Sequence, residues 1–564
     1  MSHSHHFHAL RRIVRLGRVF DASGLTTQQG LTCLQEARER RAQGISRREV
    51  LRGVAGLAAG AALDGLLGRP AWAAKGSPAR VAVVGGGLAG LVCMDRLQAN
   101  GVIGTLFEAN TRLGGRCHSD RSTFPGQVAE MGGELIDNLH KTLLAYANEF
   151  NLLKEDYGKN PGSEKYFFFG SHHDESEVID QYRVLIGRMR PDLQTLSGAP
   201  SFFEHTAADA ALDRTSLGEY LERHCQDLPL IHRALEQAYI AEYGLELAEQ
   251  SCLNFLLFIH LDGSAKFRPY GVFSDERYHL VGGNDAIAAG IRARLFGRVE
   301  LGHELEALSR NASGEYLLQF RGIGTPETAD AVVLAIPFSV LRRVTLDSSL
   351  GLSADKLRAI RELGYGANCK TMIGFDGRPW AEAGGNGGAY TDLPNVQNTW
   401  ETNYSRGGAH GILTDYAGGN RAVALQIVEP PRKNASYCTS CHGGPGGFFD
   451  MNDSLIQAQA EAFLTDLDAV FPGALQAASG VSGKRVVQRG HWLPQRYARG
   501  SYTCYLPGQF TSIAGLESQA AGALKFAGEH ADSFYSWQGF MEGACLSGIA
   551  AADAVLADMR AGRI

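Results

Sequence analysis

The chain is poor in cysteine and proline, with 10 cysteines and only 18 prolines against 69 glycines in 564 residues. Cysteines this sparse exclude a disulfide-stapled scaffold, and the glycine excess suits a turn-rich α/β chain better than a helical bundle. Charge of one sign is also lacking. A formal net charge of -6 gives no basic field for nucleic acid or an anionic membrane surface. Long hydrophobic runs are missing too: residues 53–67 are only weakly apolar, and no stretch is long enough for an integral membrane segment. The 44% hydrophobic content nevertheless supports a folded protein of more than one domain.

What is present centres on residues 80–108, RVAVVGGGLAGLVCMDRLQANGVIGTLFE. An apolar strand, a glycine turn, a helix and a second strand ending in an acid make one βαβ unit. Gly85, Gly87 and Gly90 supply G-x-G-x-x-G, in which the first glycine makes the turn, the second lets backbone approach a pyrophosphate and the third lets the helix pack on the sheet. Glu108 stands where a carboxylate accepts ribose hydroxyls. The glycine spacing alone also occurs in unrelated α/β loops; flanked by VAVV and LFE it reads as dinucleotide binding. Residues 110–118, NTRLGGRCH, and 130–137, EMGGELID, add two more glycine pairs and the cations Arg112 and Arg116, which a nicotinamide site does not need.

Three other segments carry chemistry. The first 45 residues, opening with the His-rich MSHSHHFH, read as a detachable tail. SRREVLR at 46–52, the apolar stretch that follows and Ala71-Trp72-Ala73 resemble a twin-arginine export signal with an A-x-A cleavage site. That makes 1–74 a leader and the mature protein periplasmic or secreted; an amphipathic helix capped by Ser46 and Glu49 is the alternative. Cys438, Cys441 and His442 spell C-x-x-C-H, open to c-type haem attachment, a local disulfide or two quiet thiols, between a strand expected at 422–428 and a helix starting near Asp453. Lys370 is a single ammonium within an apolar strand. Burial there is costly unless it finds a partner or loses its proton, a snorkelling strand-end lysine being the alternative.

The runs GGGLAGL, FEANTRLGGR and EMGGE, together with 491–508, HWLPQRYARGSYTCYLPG, and 522–548, GALKFAGEHADSFYSWQGFMEGACLSG, resemble the flavin amine oxidase family of monoamine oxidases and L-amino-acid oxidases. The resemblance covers nearly everything from Arg80 onward. It implies an α/β fold in which a Rossmann-like FAD-binding domain, 75–145, 275–345 and 490–564, carries an inserted α+β substrate domain, 146–274 and 346–489, with a helical region from His140. In that region Leu217–His224 and 230–240 read as helices, and in the FAD-binding domain 299–308 reads as strand-like.

The resemblance further implies FAD contacts from Gly85, Gly87, Gly90, Glu108, Arg112, Gly115, Arg116, Gly132, Gly133, Glu134, Leu305, Trp492, Gly528, Glu529, Phe540 and Met541. The turn at 335–337 would approach the cofactor, and a helix starting within 539–543 would direct its positive end at the flavin. Lys370 would hold a water against N5, while Trp492, Tyr502, Trp537 and Phe540 would enclose the substrate. Three departures bear on chemistry. Ser501 replaces the cysteine that tethers FAD in some members, so FAD is expected to be non-covalent. Phe540 replaces the second cage tyrosine. Leu135 stands where venom-type L-amino-acid oxidases have a carboxylate-binding arginine, leaving Arg268 in KFRPYG as a substitute. The implied function is oxidation of a primary amine or L-amino acid to the imine by hydride transfer to the flavin, with O2 returning hydrogen peroxide. A cytochrome c-linked amine dehydrogenase and a catalytically inactive FAD-fold binding protein are the alternatives, and a homodimer stays open.

Overall fold

The computed structural model describes residues 26–28, 79–260, 276–406, 408–425, 448–449, 454–531 and 537–564. The export-signal segment, the C-x-x-C-H motif and Arg268 lie outside these residues.

Val81–Val84 is buried along its whole length and pairs in parallel with Ala331–Leu334 on one side and Thr105–Glu108 on the other. Leu524–Phe526 and Arg298–Leu301 complete a five-stranded parallel sheet at its two edges. The continuous apolar run follows from burial on both faces. Val81 and Val83 pack with Leu91 of helix Leu88–Ala99 and Val555 of helix Met541–Arg560, while Ala82 and Val84 join a core holding Phe107, Phe320 and Phe526. The two helices cross closely because Gly548 lacks a side chain: a Cβ there would lie 2.3 Å from the Ala89 carbonyl oxygen.

The stretch expected as one strand at 299–308 is divided. Gly302, at φ 75°, ends Arg298–Leu301, and Leu305–Arg310 starts a separate four-stranded sheet with Tyr316–Phe320, Glu327–Ala329 and Thr345–Leu346.

A second large sheet has eight strands. Its central strand, Asn368–Phe375, lies antiparallel between Gly411–Gly418 and Val487–His491. The region after His140 also contributes here, since Ser163–Phe168 joins in parallel to Gly385–Thr391 and turns back as Ser171–His173. Helices Glu175–Thr195, Leu217–His224 and Pro229–Tyr243 agree with the expected helical character. Ile373 and Phe375 face helix Ser454–Val470 through Phe463 and Leu467. The alternate residue Met372 packs instead on Ala129 and Met131, and Lys370 shares that parity, so the strand turns its lysine toward the third glycine segment.

The strand expected at 422–428 is corrected. Residues Gly419–Ala424 form a short helix, and 426–428 lie outside the described residues. Gly419 turns the chain at φ 59°, and the Glu246 carboxylate accepts from Asn420 N at 2.7 Å, an acid placed at a helix start. Among the described residues no helix is long and apolar enough to cross a membrane.

Candidate active site

One cavity of about 630 Å³ opens where the first βα turn, the end of the second strand, the 335–337 turn and the start of the last long helix converge. Its floor is the glycine turn, and the three glycines differ physically. A Cβ on Gly85, at φ 110°, would lie 2.4 Å from the Ala335 carbonyl oxygen, and one on Gly90 would lie 1.9 Å from that of Gly85. Gly85 and Gly90 therefore lock turn, helix and neighbouring strand together. A Cβ on Gly87 meets only the Gly115 Cα, at 3.9 Å, and Gly87 lines the cavity, so it is the glycine that admits close approach of a ligand.

Glu108 also lines the cavity. Its carboxylate accepts from Gly86 N at 2.6 Å and Asn110 N at 2.7 Å, which fixes it at the mouth of the turn while burial pushes its carboxyl up. Arg112 donates to the carbonyls of Leu113 at 3.2 Å and Gly115 at 2.8 Å, leaving Nε buried without a hydrogen-bond partner. A buried guanidinium nitrogen unsatisfied in this way, beside an open glycine backbone, fits a pyrophosphate. Arg116 donates to Ser501 O at 2.7 Å and Glu529 Oε1 at 2.9 Å. Burial alone would raise the Glu529 carboxyl, but Arg116, His530, Thr503 and Gly539 N together hold it below its ordinary value. Helix Met541–Arg560 starts at the cavity, with Phe540, Met541 and Ala544 in its wall, so its positive dipole end faces the ligand. Leu305, Trp492, Gly115 and Gly528 complete the sequence-identified wall. These residues fit a flavin dinucleotide.

Gly132, Gly133, Glu134, Lys370, Tyr502 and Trp537 are not part of that wall. A Cβ on Gly132 would lie 1.7 Å from the Arg116 carbonyl oxygen, and one on Gly133 would lie 2.7 Å from Met541 Sδ, so both glycines serve close packing behind the cavity. Lys370 is buried and partnered: Nζ donates to Glu134 Oε2 at 2.6 Å, Gly132 O at 2.9 Å and Glu130 O at 3.2 Å. Glu134 also accepts from Trp400 Nε1 at 2.9 Å, and Lys370 stands 5.4 Å from the Trp400 ring. Trp400 meets Tyr416 edge-on at 5.6 Å, and the Tyr416 and Tyr502 hydroxyls are 3.2 Å apart. Burial pushes both phenols up, keeping them neutral. On the other side Phe540 and Trp537 meet at 6.0 Å, with His140 packed edge-on at 5.1 Å and 5.3 Å respectively.

Trp400, Tyr416 and His140 were not singled out in the sequence. Strand aromatics at 400 and 416 look like core, and a histidine before a helix looks like a cap. The signal that would have found them is the need of a buried Lys370 for a partner, which leads to Glu134 and from there to Trp400.

A parallel sheet whose first turn, second-strand acid and distant helix start close on one cavity defines a dinucleotide-dependent oxidoreductase. The chain belongs to the flavin-containing amine oxidoreductase family, whose model matches residues 88–441 and 443–556. It is a flavin-dependent enzyme acting on the carbon–nitrogen bond of small-molecule amines. Among curated proteins it is similar to YobN of Bacillus subtilis (strain 168), 25% identical over 504 residues, 84% of this chain and 93% of that protein. An L-amino-acid oxidase of Pseudechis australis is 23% identical over 497 residues, 86% of this chain and 89% of the relative. Among solved structures, putrescine oxidase bound to putrescine has a TM-score of 0.68 at 19% identity, over 85% of this chain and 99% of the other. Cyclohexylamine oxidase from Brevibacterium oxydans IH-35A also has a TM-score of 0.68, at 18% identity over 86% and 100%. These two share the fold.

Proposed function

We propose that the protein is an exported oxidase that binds FAD without a covalent link and oxidises a primary amine to the imine, with O2 as acceptor. The observation that carries this reading is the double position of Phe540, which lines the dinucleotide cavity and also packs in the aromatic cluster with Trp537 and His140. A substrate held against that cluster would lie next to the cavity that takes the cofactor. Bound flavin would supply a two-electron acceptor for hydride from the substrate's α carbon, with O2 as the final acceptor and hydrogen peroxide as its product.

The chain's own residues set the conditions. Buried apolar rings favour the neutral amine, whose lone pair is needed as hydride leaves. The imine then hydrolyses in water to ammonia and an aldehyde. Lys370, fixed by Glu134, stands on the same side as Trp400 and Tyr416, and with its three hydrogens already donated it would act on a bound flavin through its charge. Ser501 is fully buried and its hydroxyl bonds Asn368 Oδ1, so it offers no tether. Cys117 lines the cavity, but burial pushes its thiol well up, which leaves it unreactive.

Leu135, 1% exposed, favours an apolar amine over an amino acid, because a substrate carboxylate needs a paired cation. The second reading, L-amino-acid oxidation, is favoured by the curated relatives named L-amino-acid oxidase, with Arg268 as carboxylate partner. A matched pair decides, L-phenylalanine and 2-phenylethylamine compared by anaerobic flavin reduction and kcat/KM. An amine reading requires the amine to win, with affinity rising by about 0.8 kcal/mol per added methylene. A preference for the amino acid of about a hundredfold, abolished by Arg268→Leu, would replace it. Peroxide release separates the oxidase from a cytochrome-linked dehydrogenase. Bound flavin that no amine or amino acid reduces would instead mark a binding protein.

A further inference from the structure

The turn that carries Trp537 and Phe540 is tied on two sides. Gly539 N donates to Glu529 Oε2 at 2.9 Å, linking the turn to Arg116 and Thr503. On the far side, Gln538 is buried and stands outside the cavity wall. Its Nε2 donates to the Tyr505 hydroxyl at 2.7 Å and reaches His530 O at 3.4 Å. Tyr505 in turn donates to Glu517 Oε1 at 2.7 Å, and Glu517 Oε2 accepts from Gly515 N at 2.7 Å. Beneath this chain Lys356 donates to the carbonyls of Leu516 at 3.0 Å and Glu517 at 2.6 Å, with its ammonium 3.5 Å from the Phe526 ring centroid.

We propose that Gln538 and Tyr505 are positioning residues that set where Trp537 and Phe540 stand, and thereby the shape of the amine pocket. The proposal rests on the reading that those two rings face the substrate. Gly539 has φ 79°, a conformation a glycine leaves as readily as it enters. Backbone freedom at that point would let both rings shift unless neighbouring groups were fixed. The network that fixes them is expensive: burial pushes the Glu517 carboxyl up to about 7 and the Lys356 ammonium down to about 7. Apolar side chains of similar volume would stabilise the same core at least as well. What the polar chain adds is direction, a path of hydrogen bonds ending on the residue between Trp537 and Gly539.

Tyr505→Phe keeps the ring that packs 4.3 Å from Phe510 and removes only the hydroxyl, and Gln538→Leu removes the other end. In the holoenzyme both variants are expected to keep flavin and its visible spectrum. KM for whichever of 2-phenylethylamine and L-phenylalanine reduces the flavin is expected to rise about tenfold, with the limiting reduction rate within about twofold. The double variant should be no worse than the worse single, since both break the Gln538–Tyr505 link. Amide exchange across 537–544 in the substrate-free holoenzyme, expected about tenfold faster in each variant, reads the turn without turnover. Unchanged KM together with unchanged exchange would overturn the proposal. Faster exchange in Tyr505→Phe, with Phe540→Ala leaving KM untouched, would instead keep the tether and remove the reading that the rings face substrate.

Discussion

Lys370 shows how much one residue depends on its partner. Glu134 Oε2 lies 2.6 Å from its Nζ, with side-chain exposures of 7% and 2%. Removing one member of a buried pair leaves an uncompensated charge and costs about 3–5 kcal/mol. Lys370→Met is therefore expected to lower the melting temperature and to slow reoxidation by O2 more than reduction by substrate. Adding Glu134→Gln should recover much of the stability and none of the reoxidation rate, measured by thermal melts and stopped-flow on the same preparations. Equal slowing of both half-reactions would make the lysine structural. Ser501 gives a simpler test: acid precipitation is expected to release all flavin into the supernatant, and a yellow pellet would contradict the non-covalent reading. In the sequence Lys370 and Glu134 were each visible, the first as a costly ammonium and the second as a motif acid. Their pairing was not, because 236 residues separate them.

At the scale of elements, the glycine turn was legible because its spacing is local, and the structure distinguishes roles within it. Gly90→Ala would push a methyl against the Gly85 carbonyl, so it is expected to destabilise the apoprotein by about 1–3 kcal/mol through overpacking. Gly87→Ala should leave the apoprotein melt unchanged and weaken FAD binding, since its Cβ would point into open cavity. Melting of the apoprotein and FAD titration check both; equal destabilisation would deny the division of roles. The element errors were also local. A strand-like run at 299–308 conceals a turn that one glycine suffices to make, and an apolar run after Gly418-Gly419 became a short helix because Glu246, from a distant segment, capped its start.

At the scale of the whole molecule, His491 and His530 are buried with neither ring nitrogen hydrogen-bonded among the described residues. Desolvation lowers His491 to about 4 and His530 to about 3 from an ordinary 6.5. Between 6.5 and those values the unfolded chain binds more protons than the folded one, so stability falls as pH drops through that window. Each group contributes about 1.4 kcal/mol per pH unit. His530→Leu is expected to flatten the loss of melting temperature between pH 6.5 and 4.5, leaving values above pH 7 little changed on this account. A slope as steep as the wild type's would show that His530 is not buried neutral.

What the sequence determined by itself was whatever is written in short-range pattern: the βαβ unit from its apolar runs and glycine spacing, the helices at 217–224 and 230–240, and the family-matching cofactor segments. Tertiary structure alone decided which side chains meet. Lys370 found Glu134, Trp400 joined them from 266 residues beyond Glu134, and Tyr416 came to Tyr502 across 86. The reason is physical. Period and turn chemistry act over a few residues and survive in any context, whereas the fate of a buried charge or phenol is set by desolvation, and only packing of the whole chain determines which groups are at hand to offset it.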